Sequence, residues 1–326
     1  MLDPVLIDPR LFTVFSFLNH QGFDDEHREE GMHPVRLAVR EDLQHIPKDL
    51  TQEMDQFIQH HPDANWFAYT QYALMLGNPP QLSLSPVYQD TWASSVLSDF
   101  DTFLQPFYYR AGIDVLWDRY QPEYEREARL FRPDVYKSFD RLWEYLRISP
   151  EQQQTNVRVV PNLLNAFYRA TVFDDPATEL LYVICGPFSE QSPIDSTVVH
   201  EVLHTVTGPL LQANEGRIRS KQELLLLVET LPTVKDNYGG NFKTILDESL
   251  IRALTKCISL SPDDAGVQAH IQREYEEGFI LIWYFYEKLV NDFEKSDLSF
   301  PDYFSRLIGE IDIDQERKRW AQSHQD

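Results

Sequence analysis

Ser192-Pro193-Ile194-Asp195-Ser196-Thr197-Val198-Val199-His200-Glu201-Val202-Leu203-His204-Thr205-Val206-Thr207-Gly208-Pro209 is the stretch that organises the rest of the chain. Its ends carry helix punctuation: Ser192 suits an N-cap, Pro193 the first helical position and Asp195 the positive end of the dipole, while Gly208-Pro209 is a stop signal. Inside lies H-E-x-x-H. Residues four apart fall about one turn along the same helical face, so His200 and His204 can present two imidazoles to one metal ion. Glu201 then stands at the edge of that ion, beside a bound water.

Such a short pattern can arise by accident, so its flanks have to be weighed. Val198, Val199, Val202, Leu203 and Val206 surround it, with no Lys, Arg or further acid between Thr197 and Thr207. A helix of that kind is expected to be buried. Two imidazoles and a carboxylate buried without partners would cost several kcal/mol, and a metal offsets that cost by using the lone pairs. The plain alternative is a buried helix whose histidines are satisfied by hydrogen bonds.

The 326 residues suffice for one large or two ordinary domains. A formal net charge of -23 argues against nucleic acid or an anionic membrane as the main partner, since either requires a basic surface. Cys185 and Cys257 build no disulfide framework. The N-terminus lacks a basic leader, and the apolar run Leu11 to Leu18 is short and interrupted by Thr13 and Ser16, unlike a signal or a membrane span. The expectation is a soluble chain, cytoplasmic if its N-terminus is complete. Oligomeric state is not legible.

Residues 1–150 read as a helical N-terminal region, with breaks at Asn78-Pro79-Pro80, Ser85-Pro86 and Ser149-Pro150. Within it the spacing predicts helices from Ser95 to Gln105, from Gly112 to Leu130 with a break at Pro122, and from Pro133 to Leu146. Trp66, Trp92, Trp117 and Trp143 read as packing between helices. His60-His61 reads as a loop or helix end without a metal role. From residue 151 to 326 the pattern changes. Val157 to Leu164, Phe167 to Phe173 and Leu180 to Cys185 read as strands, the last two joined by a turn at Asp174-Asp175-Pro176, so a small antiparallel sheet precedes the metal helix. Leu180 to Cys185 is either an edge strand able to pair with an extended substrate or an interior strand. Helices follow over Gln222 to Thr230, Asn241 to Leu260, Val267 to Phe293 and Tyr303 to Trp320, and the polar tail from Arg317 is expected to fray. The fold class is α+β, mostly helical.

An open zinc site takes three protein ligands plus water. The extended motif with a third histidine is absent, because Thr207 and Leu210 occupy its glycine and histidine positions. Glu248 is the best-placed remaining ligand: Asn241 caps its helix, and Ile245 and Ile251 set it beside apolar positions. Its alternative is an ordinary pair with Arg252 on a solvated face. Asp247, Glu229 and His270 are fallback ligands. With zinc on His200, His204 and Glu248, Glu201 becomes the general base, and Tyr238, in Asn237-Tyr-Gly-Gly240, and Arg252 are candidate donors to a developing oxyanion.

A hairpin, then His200-Glu-Val-Leu-His204, then a downstream glutamate helix resembles a gluzincin-type zinc metallopeptidase. With Gly208-Pro209 and Glu248-Ser-Leu-Ile-Arg252-Ala253, the chain resembles more narrowly an uncharacterised family of predicted metallopeptidases. The resemblance implies a zincin-like catalytic core in 151–326, Zn2+ as cofactor and a peptide or protein as substrate. Gluzincins often carry Asp four residues after the glutamate ligand to orient a histidine; here that position is Arg252, so the orienting acid has to come from elsewhere. A rival of another class is a zincin-fold binding or scaffold protein that no longer turns over, against which the intact Glu201 argues.

Overall fold

The fold is described from a computed structural model, over residues 3–24, 31–149, 151, 156–188, 194–259 and 265–323. About 66% of the chain is helical, with one three-stranded mixed sheet, an α+β composition. The chain forms two compact units, residues 1–135 with 156–194, and residues 136–155 with 195–326.

The first unit is built on α1, Pro9–His20. Asp8 caps it, accepting from the Arg10 amide at 2.8 Å, and Pro9 supplies the preset φ of the first turn. The Leu11 to Leu18 run is this helix, and every residue in it is buried. Around it lie α2 (Pro34–Leu43), α3 (Lys48–His60), α4 (Trp66–Met75), α5 (Trp92–Val96), α6 (Phe100–Arg110) and the first part of α7 (Ile113–Leu146), which the unit boundary divides after Val135. Proline punctuation misleads here. The helix expected over Ser95 to Gln105 breaks at Leu97 to Asp99, where Asp99 takes a left-handed φ of 62°, and α6 then continues through Pro106. Likewise α7 runs through both Pro122 and Pro133. Proline's φ is compatible with a helix, and its lost hydrogen bond is outweighed where buried residues such as Leu116, Tyr124, Phe131 and Val135 pack. Trp92 is a further departure, 49% exposed rather than packed between helices.

The sheet belongs to this unit, grouped with the N-terminal helices rather than with the residues after 194. β1 (Val157–Pro161), β2 (Ala170–Asp175) and β3 (Leu180–Cys185) lie in the order β1-β3-β2. β2 and β3 form the expected hairpin, its turn held by the Asp175 side chain, which accepts from the Ala177 amide at 2.9 Å. The sheet is nevertheless not antiparallel throughout, because β1 pairs with β3 in parallel. The loop after β1 passes the end of β3 and delivers β2 to its far side. Gly186 permits that crossing: its amide donates to Arg169 O at 2.7 Å, and a Cβ there would overlap the Ala166 carbonyl oxygen. β3 is therefore the central strand and, paired on both sides, has no free edge for a substrate.

The second unit takes the end of α7 and then α8, Ile194–Ala213, which carries H-E-x-x-H. Ser192, Pro193 and the Asp195 side chain lie outside the described residues. Gly208-Pro209 does not end the helix, which runs on to Ala213 with Leu211 buried. α9 (Glu215–Arg219), a 3-10 segment at Gln222–Leu227 and a π-helical turn at Thr233–Asn237 lead to α10, Phe242–Ser259. Asn241 caps α10 as expected, its Oδ1 accepting from the Lys243 amide at 3.0 Å. The single helix expected over Val267 to Phe293 is α11 (Ala265–Glu276) and α12 (Ile282–Lys288), separated at Gly278, whose φ of 112° no helix accommodates. α13 (Phe300–Gly309) and α14 (Ile313–Ser323) replace the one expected over Tyr303 to Trp320; Ile311 is buried in the joint between them. α14 stays helical past Arg317, which pairs with Glu223 at 2.7 Å, so the expected fraying does not begin there. Neither cysteine is in a disulfide, and among the described residues no helix is long and apolar enough to cross a membrane.

Candidate metal centre

α8 and α10 supply the centre. Val198, Val199, Val202 and Leu203 are buried on α8, leaving His200, Glu201 and His204 half-buried on its other side. On α10, Ile245, Leu246, Leu250 and Ile251 anchor the helix, and Glu248 is carried inward with them. His200, His204 and Glu248 each offer one ligand atom, and these atoms lie within 4.8 Å of one another. His200 Nε2 is 3.7 Å from Glu248 Oε2, and His204 Nε2 is 3.7 Å from Glu248 Oε1. A tetrahedral ion with bonds near 2.0–2.1 Å has ligand atoms about 3.4 Å apart, close to the two histidine–glutamate separations, so the cluster has to draw in to close around one.

The acid that orients a histidine is Asp247. Its Oδ2 is 3.1 Å from His204 Nδ1, a contact that calls for a proton on Nδ1 and turns Nε2 towards Glu248. Asp247 and Glu248, adjacent on α10, thus bracket one imidazole from its two nitrogens. Burial, reinforced by the Arg252, His204 and Lys256 charges, pushes His200 well below the ordinary imidazole range, so it is neutral and free to ligate. His204 goes the other way: burial alone would lower it, but Asp247, Glu248 and Glu201 outweigh burial and raise it. Burial also raises the Glu248 carboxyl, against the opposing pull of Arg252.

Arg252 lies behind Glu248, with Nη2 3.4 Å from Oε2, and is stacked over the Phe279 ring at 4.0 Å. Its hydrogen bond goes to Glu274 on α11, at 3.1 Å, which also accepts from Lys256 at 3.2 Å. Tyr238 follows the π-helical turn and packs edge-on against Phe279, 5.9 Å between centroids, with its hydroxyl beside Arg252. Burial, then the Glu248 charge, raises the Tyr238 phenol and keeps it protonated as a donor. Glu201 is near enough to act electrostatically on both His204 and Tyr238. Of the other ligands weighed from the sequence, Glu229 and His270 are exposed and outside the cluster. His60 and His61 are used in their own helix, bonding the Gln56 and Phe57 carbonyls at 2.6 and 2.8 Å. Glu274 gave no signal in the sequence, because its part depends on how α11 lies against α10.

The donor set fits a divalent ion in two further respects. Glu248 Oε2 is buried and makes no hydrogen bond, although an unmet carboxylate oxygen is costly. Four carboxylates (Glu201, Asp247, Glu248 and Glu274) face two cations, Arg252 and Lys256, an excess of acidic groups that a bound cation would offset. Compared with protein family models, curated proteins and solved structures, the chain matches none.

Proposed function

We infer that this chain is a zinc-dependent hydrolase acting on peptides, in keeping with its resemblance to gluzincin-type metallopeptidases. One observation carries the reading: Glu248 Oε2, buried and without a hydrogen bond, lies 3.7 Å from the Nε2 of His200, inside an H-E-x-x-H helix. Two imidazole nitrogens and one carboxylate oxygen suit zinc and leave a position open. Bound there, zinc would supply a Lewis acid that acidifies water and polarises a carbonyl. His200 and His204 would hold it through Nε2, with Asp247 keeping the His204 ring in register. Glu201, the next residue after a ligand on α8, takes a proton from the attacking water and passes it to the leaving amine. Tyr238, neutral and beside Arg252, donates to the carbonyl oxygen as charge develops on it.

The purified protein should carry about one zinc per chain, and His200→Ala or His204→Ala should remove it. Glu201→Gln keeps shape and polarity but removes the base. At equal zinc content it should cleave a mixed peptide library on the order of a hundredfold more slowly or worse. Chelator-sensitive cleavage that persists unchanged in Glu201→Gln would sink the general-base role, and a zinc-loaded wild type that cleaves nothing would favour a binding protein.

A further inference from the structure

Arg252 reaches two carboxylates and treats them differently. Its Nη1 donates a hydrogen bond to Glu274 Oε1 at 3.1 Å, whereas its Nη2 comes only to 3.4 Å from Glu248 Oε2, an oxygen that accepts no hydrogen bond at all. The guanidinium is thus seated closer to Glu274, at 3.1 Å, than to Glu248, at 3.4 Å. Left to itself an arginine beside a carboxylate closes into a short two-pronged pair and occupies both oxygens. Two contacts hold this one back: Glu274 pulls at Nη1, and the Phe279 ring sits under the guanidinium, its centroid 4.0 Å from Cζ. Glu274 is itself buried, 7% exposed, and the same Oε1 also accepts from Lys256 Nζ at 3.2 Å. A buried carboxylate shared by two cations is expensive to desolvate and gains little stability from the pairing, so its retention calls for another reason.

We propose that Glu274 is a positioning residue of the metal centre: by holding Arg252 off Glu248 it keeps the Glu248 Oε2 lone pairs open to the ion. The inference rests on the metal-site reading above and adds a residue that touches neither ion nor substrate. Without the Glu274 charge, Arg252 swings onto Glu248 and competes with the metal for the same oxygen. Loss of a partner that orients a ligand from outside the coordination sphere ordinarily costs about 10- to 100-fold in metal affinity.

The test is zinc affinity by chelator competition, on folded protein checked by circular dichroism. Glu274→Gln should bind zinc about 10- to 100-fold more weakly than wild type. Adding Arg252→Met to Glu274→Gln removes the competitor and should recover most of that loss, which a merely structural role for Glu274 would not allow. Wild-type affinity in a folded Glu274→Gln variant overturns the proposal, as does a loss that Arg252→Met leaves uncorrected. A wild-type protein that takes up no zinc overturns the reading of the site itself, and this inference with it.

Discussion

In the first unit the Phe17 ring is surrounded by the rings of Phe57, Tyr69, Phe100, Phe103 and Phe107, with centroids 5.2–6.1 Å away and no exposure to water. In the second, Glu248 is nearly as buried, at 8%, yet its neighbours are His200, His204 and Arg252, and one of its oxygens lacks a hydrogen bond. Apolar burial stabilises a fold at about 25 cal/mol per Å² and needs no further explanation. A cluster of buried charges with unmet oxygens does the opposite until something binds it. The contrast separates residues kept for folding from residues kept for a ligand, and mutation should divide them the same way.

The largest effect is expected at Phe17. Phe17→Ala should lower unfolding stability by about 3–5 kcal/mol, read from denaturant titration, through lost transfer energy and the cavity left behind. Where the variant remains folded, its zinc affinity should equal that of wild type. A folded Phe17→Ala protein that had lost zinc would break the comparison.

Asp247 should behave conversely. Asp247→Asn keeps the shape but weakens the hold on His204 Nδ1, and zinc affinity should fall about 10- to 100-fold, equivalent to about 1.4–2.8 kcal/mol. Chelator competition measures it. Unchanged affinity would mean that the 3.1 Å contact does not orient the ligand ring.

How much of this could be read beforehand follows from which residues speak through local spacing. His200, Glu201 and His204 did, because four residues make one helical turn whatever surrounds them. Glu248 did, because Ile245 and Ile251 marked its position on α10 as inward-facing. Asp247 was visible only as a fallback ligand: whether it meets the metal or the far nitrogen of His204 depends on the rotation of α10 against α8, which no local pattern records. Glu274 was silent for the same reason. In the sheet the hairpin was legible from its turn residues, while the parallel pairing of β1 was not, since it depends on a loop passing Gly186 at close range. Pro106, Pro122, Pro133 and Pro209 were read as boundaries by their backbone preference, and packing overruled that preference at each.

Glu316 on α14 sharpens the contrast, being a buried carboxylate in the second unit away from the metal cluster. It is 1% exposed, neither oxygen accepts a hydrogen bond, and the nearest cation, Arg319 Nε, is 3.7 Å away and has its closer pairing with Glu287 at 2.6 Å. Burial therefore pushes its carboxyl up to about 7, Arg319 opposing. The folded-state value stands above the unfolded one, near 4.5, so between these two pH values the native protein binds a proton that the unfolded chain has released. Its contribution is thus fully present below pH 4.5 and declines as the pH rises towards 7, after which it is constant. Glu316→Gln stays neutral throughout. It should match wild type at acid pH and exceed it at pH 8, where only the wild type carries a buried charge. Urea titration at pH 5 and pH 8 measures the difference. If the variant is instead less stable than wild type at pH 8, Glu316 is ionised and bound to Arg319, and it belongs with the satisfied part of the molecule rather than the strained part.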